Sequence, residues 1–468
     1  MKIVSNYNNI ENDLYDVMHM FYPDLKIDEN VPILNHTYTR DKDIVTNKYE
    51  IVDKFENFNF EESKQICCAQ DILDEKRQIK RSIKLSLYKM LSNHFSKNMP
   101  WGSLTGIRPT KIGYDLLKQG IEPHMLKEAL MENFLVREDK AKLVSTVIQN
   151  QKCIIRNDKL VDLYINIPFC PTRCNYCSFI SCEYDKVKTI MPEYLSALIK
   201  EINATKKIIF DNSYVLRTIY IGGGTPTVLS SEELDMLLSN LNYPVSEFTV
   251  ECGRPDTISK EKLDVLKKHN VTRISINPQT FNDSTLKRIG RKHTVKDVLI
   301  AYKTALPYEF VINMDLIAGL PNETLKGFKK SIDTAIELAP DNITVHTLSR
   351  KNGSLYANDN TVNNTTEKMI AYASETLHKN GYKPYYLYRQ KNQMQGQENV
   401  GYYREKVCFF NVDSMEECIS ILACGANAIS KRVYNLDNKI ERIANVKDVK
   451  EYIKRIDELI EKKKNLFS

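Results

Sequence analysis

An α/β fold on a parallel sheet is predicted from three observations. From Leu160 to about Arg350, short β-branched runs alternate strictly with longer amphipathic stretches, and six such β/α units can be counted. That alternation implies a parallel sheet with right-handed crossovers. Polar and glycine-rich motifs follow successive strand runs directly, and in barrel-like sheets the C-terminal strand ends are where sites lie. The regions on either side lose the alternation. Residues 1–155 read as an N-terminal α+β domain, 156–350 as the core, and 351–468 as a C-terminal α/β extension covering it.

The N-terminal region opens with a strand over 2–5 and an amphipathic helix over about 10–21, then apolar strands near 31–35 and 48–52. Ile79, Ile83, Leu87, Met90 and Leu91 recur at helical spacing and predict a helix over about 75–95. Segment 100–113, PWGSLTGIRPTKIG, holds the only tryptophan and reads as a loop, with Pro109 opening a helix over 111–118. Two readings stand for it: a lid whose Arg108 and Lys111 reach an anionic substrate, or an inter-domain clamp anchored by Trp101. Helices over 123–133 and 137–151 lead into the core. There, strands are expected at 161–167, 216–221, 247–251, 272–276, 311–316 and 342–346. Helices are expected at 191–208, 231–238, 260–269, 295–306 and 325–338. Beyond 351 come an Asn-rich connection (358–364), a helix over 365–378, a group of tyrosines and a closing helix over 447–464 that reads as a surface cover.

Composition narrows the class. The 468 residues are 42% hydrophobic and 27% charged, as in ordinary globular proteins, and a net charge of +6 does not call for a nucleic-acid partner. No apolar leader and no run of 18 apolar residues occurs, which argues against secretion and membrane spanning. Eleven cysteines without an export signal read as reduced thiols and metal ligands, so the expected compartment is the cytoplasm.

Three of those cysteines carry the chemistry. In LYINIPFCPTRCNYCSF (163–179), Cys170, Cys174 and Cys177 stand at C-x3-C-x2-C spacing on the loop leaving the first core strand. Three thiolates so close can wrap an iron–sulfur cubane and leave its fourth iron open to a ligand. Zinc with a distant fourth ligand, a redox disulfide or a chance grouping are equally compatible with the spacing alone. Cys182 reads as a bystander, since a fourth thiolate would close the open corner.

The residues around the cysteines, Tyr164, 167–169, Tyr176 and Phe179, resemble those of the radical S-adenosylmethionine (SAM) enzymes. They resemble most closely the oxygen-independent coproporphyrinogen III oxidases and their relatives. Segment 100–113 is similar to one in the HemZ-type branch, so the resemblance spans most of the chain. It implies an open, partial (β/α)6 TIM-type barrel. It also implies a [4Fe-4S] cluster on Cys170, Cys174 and Cys177, and SAM chelated to the open iron and cleaved reductively to a 5′-deoxyadenosyl radical.

The resemblance also gives roles to strand-end residues. Gly222, Gly223, Gly224 and Thr225 follow the second core strand; glycines let a backbone approach a ligand and aim N–H groups at it. The family segment cradles the methionyl part of SAM. Glu251, in ECGRPD after the third strand, matches a glutamate that pairs with the SAM ammonium. Gln279 in SINPQT matches a family glutamine, and Arg291 and Asp315 match residues contacting a second SAM in some members. Tyr164 and Tyr176 join the cofactor-binding set by their place in the cysteine motif.

Two departures weaken the match to the oxidases proper. Asn166 stands where they carry a histidine, and Phe179 where they carry a further cysteine; an amide cannot exchange protons near neutral pH as imidazole does. In the C-terminal part, Tyr385, Tyr386, Tyr388, Tyr402 and Tyr403 suit either an aromatic wall for a flat tetrapyrrole or the packing of a small sheet. Arg350 and Arg389 are candidate propionate binders, because guanidinium meets carboxylate bidentately. The implied reaction is oxidative decarboxylation of coproporphyrinogen III to protoporphyrinogen IX, with a flavodoxin- or ferredoxin-like electron donor. A haem chaperone related to these oxidases, or a radical SAM enzyme on another substrate, are the alternatives.

Overall fold

Alternating side-chain polarity along the core strands sets the architecture, because one face of each strand must pack on helices and the other must line the inside of a curved sheet. The computed structural model describes residues 1–22, 32–52, 57–66, 72–177, 182–349, 354–356, 365–390, 393–436 and 439–468. They divide into two compact units, 1–145 and 146–468.

The first unit contains a four-stranded sheet, β1 (Lys2–Ser5), β2 (Ile33–Asp41), β3 (Ile44–Val52) and β4 (Asn57–Gln65), in that order, with β1 parallel to β2 and the rest a meander. Helices Glu11–Phe21 and Ile72–His94 bury Leu14, Val17, Ile83 and Leu87 in one core with Leu34, Tyr49 and Ile51 of the sheet. The sequence reading places the long helix correctly but misses β4. That edge strand alternates only Phe58 and Phe60 before a charged run, which is too little apolar pattern to read. Trp101 is fully buried.

The second unit is built on an eleven-stranded sheet. Its centre holds β5 (Leu160–Ile167), β8 (Val215–Gly223), β9 (Glu247–Glu251), β10 (Arg273–Ser275), β11 (Val311–Ala318) and β12 (Asn342–Thr347), paired in chain order and all parallel. A helix joins each strand to the next, which is the partial (β/α)6 barrel. Two short strands, β6 (Phe169–Cys170) and β7 (Cys182–Glu183), pair just beyond β5 and close the base of the cysteine loop.

Contacts that skip a strand show which face looks inward. Arg273 on β10 donates to Asn342 on β12 as well as to Glu247 on β9 (3.2 Å), and to the Val407 carbonyl (2.7 Å). Glu247 also accepts from the Cys408 thiol (3.2 Å) and the Phe409 amide (3.1 Å). Segment 407–410 therefore closes the floor of the barrel, and the opposite, C-terminal strand ends form its mouth.

Residues beyond 351 extend the sheet at both edges. β13 (Lys383–Tyr388) and β14 (Asn399–Tyr403) add antiparallel strands beyond β12. β15 (Ser420–Cys424) lies parallel beside β5, followed by antiparallel β16 (Ile429–Tyr434) and β17 (Lys439–Ala444). The closing stretch is two helices, Val449–Lys454 and Ile456–Phe467. It is more than a surface cover: Lys463 is buried against Glu201 (2.7 Å), which also accepts from Asn445 (2.8 Å), the Gly425 amide (2.8 Å) and the Tyr452 hydroxyl (2.6 Å). Among the described residues no helix is long and apolar enough to cross a membrane.

Candidate functional site

The cysteine loop begins where β5 reaches Pro168. Gly224 donates its amide to Ile167 O (2.8 Å) and Thr225 to Phe169 O (2.7 Å), so the glycine run after β8 lies directly against the strand that launches the loop. A Cβ on Gly224 would sit 2.4 Å from Phe169 O, which only glycine avoids. Thr225 places its hydroxyl 3.6 Å from Cys170 Sγ. The three thiols are unbridged and partly exposed. Among the described residues no three or more His, Cys, Asp or Glu converge as a single metal ion needs; in a cubane each thiolate takes a different iron, so its ligands stand further apart.

The end of the short helix Asp283–Arg288 and the residues just after it hold the loop. Arg291, buried, donates through Nη2 to the Tyr176 hydroxyl (3.2 Å) and through Nη1 to Asn277 O (2.7 Å) and Gly253 O (3.2 Å). Burial disfavours its charge, but Tyr176 and Cys174 beside it outweigh this and keep its pKa above the usual value. Asn175 bonds the carbonyls of Ile289 and Arg288 (both 2.9 Å). The Tyr176 ring packs with Leu286, Ile289 and Leu320.

Glu251 ends β9 beside the glycine run, where a Cβ on Gly222 would approach its carboxylate to 3.0 Å. Tyr220 donates to it at 2.5 Å. Burial pushes its pKa up to about 7, aided by the negative Asp315 and opposed by the Tyr220 bond. Asp315 on β11 accepts from Asn313 (2.8 Å) and faces His346 of β12 at 3.6 Å. His346 in turn lies 3.4 Å from the Tyr388 hydroxyl. Burial would raise the Asp315 pKa, but His346 and Asn313 hold it below the ordinary range. Gln279 has φ +66° and bonds β11 through its backbone, its amide to Asp315 O and its carbonyl to Ile317 N (both 2.9 Å). Its Oε1 is buried with no hydrogen-bond partner among the described residues, as are Arg291 Nε and Ser275 Oγ.

Tyr164 faces the barrel interior, stacked with Phe410 (5.8 Å) and donating to Asn166 Oδ1 (3.1 Å). Asn166 is a bracket: its Nδ2 donates to Ala426 O (2.6 Å), and Cβ atoms on Gly223 and Gly425 would come within 2.1 and 2.3 Å of its oxygens. Of the tyrosine group, Tyr385, Tyr386 and Tyr402 are buried in β13 and β14; the Tyr386 hydroxyl lies 3.2 Å from Thr344 Oγ1 and the Tyr388 hydroxyl 3.4 Å from His346, so both reach the mouth cluster. Arg389 is half-buried after β13, its pKa pushed down to about 10 by burial against the opposing effect of Glu398. Arg350 and Phe179 lie outside the described residues.

The sequence reading passes over Arg254, Asp256, His293 and His346. His346 could have been found by counting alternate positions from Asn342 on β12. Arg254 and Asp256 stand two residues apart in the ECGRPD motif, but only the fold brings them to Thr172 and His293.

A family model described as the radical SAM superfamily matches residues 164–335. The oxygen-independent coproporphyrinogen-III oxidase-like protein HemZ of Bacillus subtilis (strain 168) is 36% identical over 83% of this chain and 81% of its own length. The heme chaperone HemW of the same organism is 42% identical over 40% of this chain and 49% of its own. The solved coproporphyrinogen III oxidase HemN of Escherichia coli, 22% identical, superposes with a TM-score of 0.51 over 66% of this chain and 72% of that one, a likeness of fold. The chain belongs to the radical SAM superfamily, in the branch of HemZ-type oxygen-independent coproporphyrinogen III oxidase-like proteins. Its cofactors are those of the superfamily, a [4Fe-4S] cluster and SAM. The residues present suit them: three thiols on one loop, a glycine run at its base, and a buried Gln279 Oε1 with no hydrogen-bond partner among the described residues.

Proposed function

We propose that this protein carries out the oxygen-independent oxidative decarboxylation of coproporphyrinogen III to protoporphyrinogen IX. Cys170, Cys174 and Cys177 hold the cluster. The run Gly223, Gly224, Thr225 and the carboxylate of Glu251 receive SAM, with Gln279 and Asp315 completing the mouth. Cluster and SAM, when bound, supply a carbon radical able to take hydrogen from a propionate side chain. The chain's own part is to hold the reactants in contact and to exclude water and oxygen.

The observation that carries the reading is the extent of the likeness to HemZ, 83% of the chain, well beyond the barrel that all radical SAM proteins share. Arg389 and Arg350 are the proposed carboxylate binders. Arg291 has both Nη atoms engaged by the cysteine loop and its surroundings and lies beside Cys174, so its proposed part is to hold that loop next to the bound ligand. Electrons come from a flavodoxin- or ferredoxin-like donor in the cytoplasm.

One observation favours the haem chaperone as a second reading. The amide at Asn166, bonded to Ala426 and Tyr164, offers no titratable group where the oxidases have one. Anaerobic incubation of the reconstituted protein with SAM, a reductant and coproporphyrinogen III separates the two. Protoporphyrinogen IX together with 5′-deoxyadenosine supports the oxidase. Stable haem binding with no decarboxylated product supports the chaperone and refutes the oxidase.

A further inference from the structure

We propose that Arg254, backed by Asp256 and His293, is a positioning residue that fixes the cysteine loop between Cys170 and Cys174 in the geometry that receives the cluster. The inference rests on reading those cysteines as cluster ligands. From the end of β6 at Cys170 through Cys177 the chain forms neither helix nor strand. Such a loop keeps its thiols at a set spacing only when other elements bond to it.

Segment 288–291 secures the part between Cys174 and Cys177, through Asn175 and Tyr176. The part between Cys170 and Cys174 is secured from β9's trailing loop. Arg254 Nη1 donates to both the carbonyl (3.2 Å) and the hydroxyl (3.0 Å) of Thr172, midway between the two cysteines. The other edge of the same guanidinium, Nε and Nη2, donates to the two oxygens of Asp256 at 3.0 and 2.9 Å. His293, its side chain wholly buried, sets Nδ1 3.5 Å from Asp256 Oδ1.

Arg254 is only 3% exposed. A buried guanidinium is costly unless its donors are met, and here the carboxylate neutralises it while its remaining edge points at the loop. The arrangement needs a planar fork. A lysine, as a point charge on a flexible stem, cannot serve Thr172 and both oxygens of Asp256 together. Because the pair is neutral overall, the effect on the cluster is one of placement.

The test compares wild type with Arg254→Gln, Arg254→Lys, Thr172→Val and the conservative Thr172→Ser after anaerobic reconstitution with iron and sulfide. Iron per chain, the EPR spectrum of the reduced cluster with and without SAM, the rate of iron loss to a chelator, and thermal melting are measured. Both Arg254 variants are expected to lose iron about tenfold faster, the usual scale for removing a residue that orients a metal ligand. They should also show three-iron species and a weakened spectral response to SAM. Thr172→Val should change in the same direction by less, and Thr172→Ser should match wild type. Wild-type iron retention and SAM response in Arg254→Gln would overturn the proposal. If that variant does not fold, wild-type chelator kinetics in Thr172→Val would overturn it instead. Failure of the wild type itself to take up iron would refute the cluster reading, a distinct outcome.

Discussion

Binding of SAM is expected to strengthen about eightfold between pH 6 and pH 7.5, through Glu251. Burial at the end of β9 places its pKa at about 7, with Asp315 adding to the rise and the Tyr220 hydroxyl and Gly223 amide opposing it. About a tenth of the carboxyl is ionised at pH 6 and about three quarters at pH 7.5, and only the charged form pairs with the cationic end of SAM. Affinity should therefore climb through this window and level off above it. Stability without SAM runs the other way. The folded pKa lies above the ordinary glutamate value of about 4.5, so the folded protein holds a proton that the unfolded chain releases. The Glu251 contribution is most favourable below about pH 4.5 and declines through about pH 7, by up to about 3 kcal/mol. Glu251→Gln should remove both trends, leaving weak, pH-independent binding. Equilibrium dialysis of SAM on the reconstituted protein across this range, with urea unfolding of the SAM-free form, measures the two. A flat wild-type affinity, or the wild-type profile retained in Glu251→Gln, would refute the reasoning.

Gly223→Ala places a Cβ 2.1 Å from Asn166 Oδ1 at φ +107°. It should cost about 1–3 kcal/mol in backbone strain and weaken SAM binding, and unchanged urea unfolding and dialysis would rule this out. Lys463→Met strips one donor from Glu201, leaving Asn445, Gly425 and Tyr452. Breaking a buried pair typically costs 3–5 kcal/mol, and the surviving donors place this one near about 3 kcal/mol; a loss below about 1 kcal/mol in urea unfolding would count against the network. Cys174→Ser should lose the visible iron–sulfur absorption after reconstitution and form no 5′-deoxyadenosine; wild-type absorption would remove Cys174 from the ligand set.

What could be read along the chain was whatever repeats or concentrates locally. The six core strands and their helices were legible because periods of two and of 3.6 residues record which face is buried, and helices such as Ser231–Leu238 and Leu325–Leu338 fall where expected. The cysteine triplet, the glycine run and Glu251 were legible because each follows a strand end at short range. Folding alone brought Arg254 to Thr172, 82 positions away, and Lys463 to Glu201, 262 away. It also set β15 beside β5, brought the Tyr386 hydroxyl to Thr344, and turned Asn166 into a bracket between two glycines. Pairings of that kind leave no periodic trace, since a lone Arg, Lys or Asn in a loop or helix looks the same whether it ends in water or against a partner. The choice between those ends is made by burial and the demand that buried charges be met, and those exist only once the chain has closed on itself.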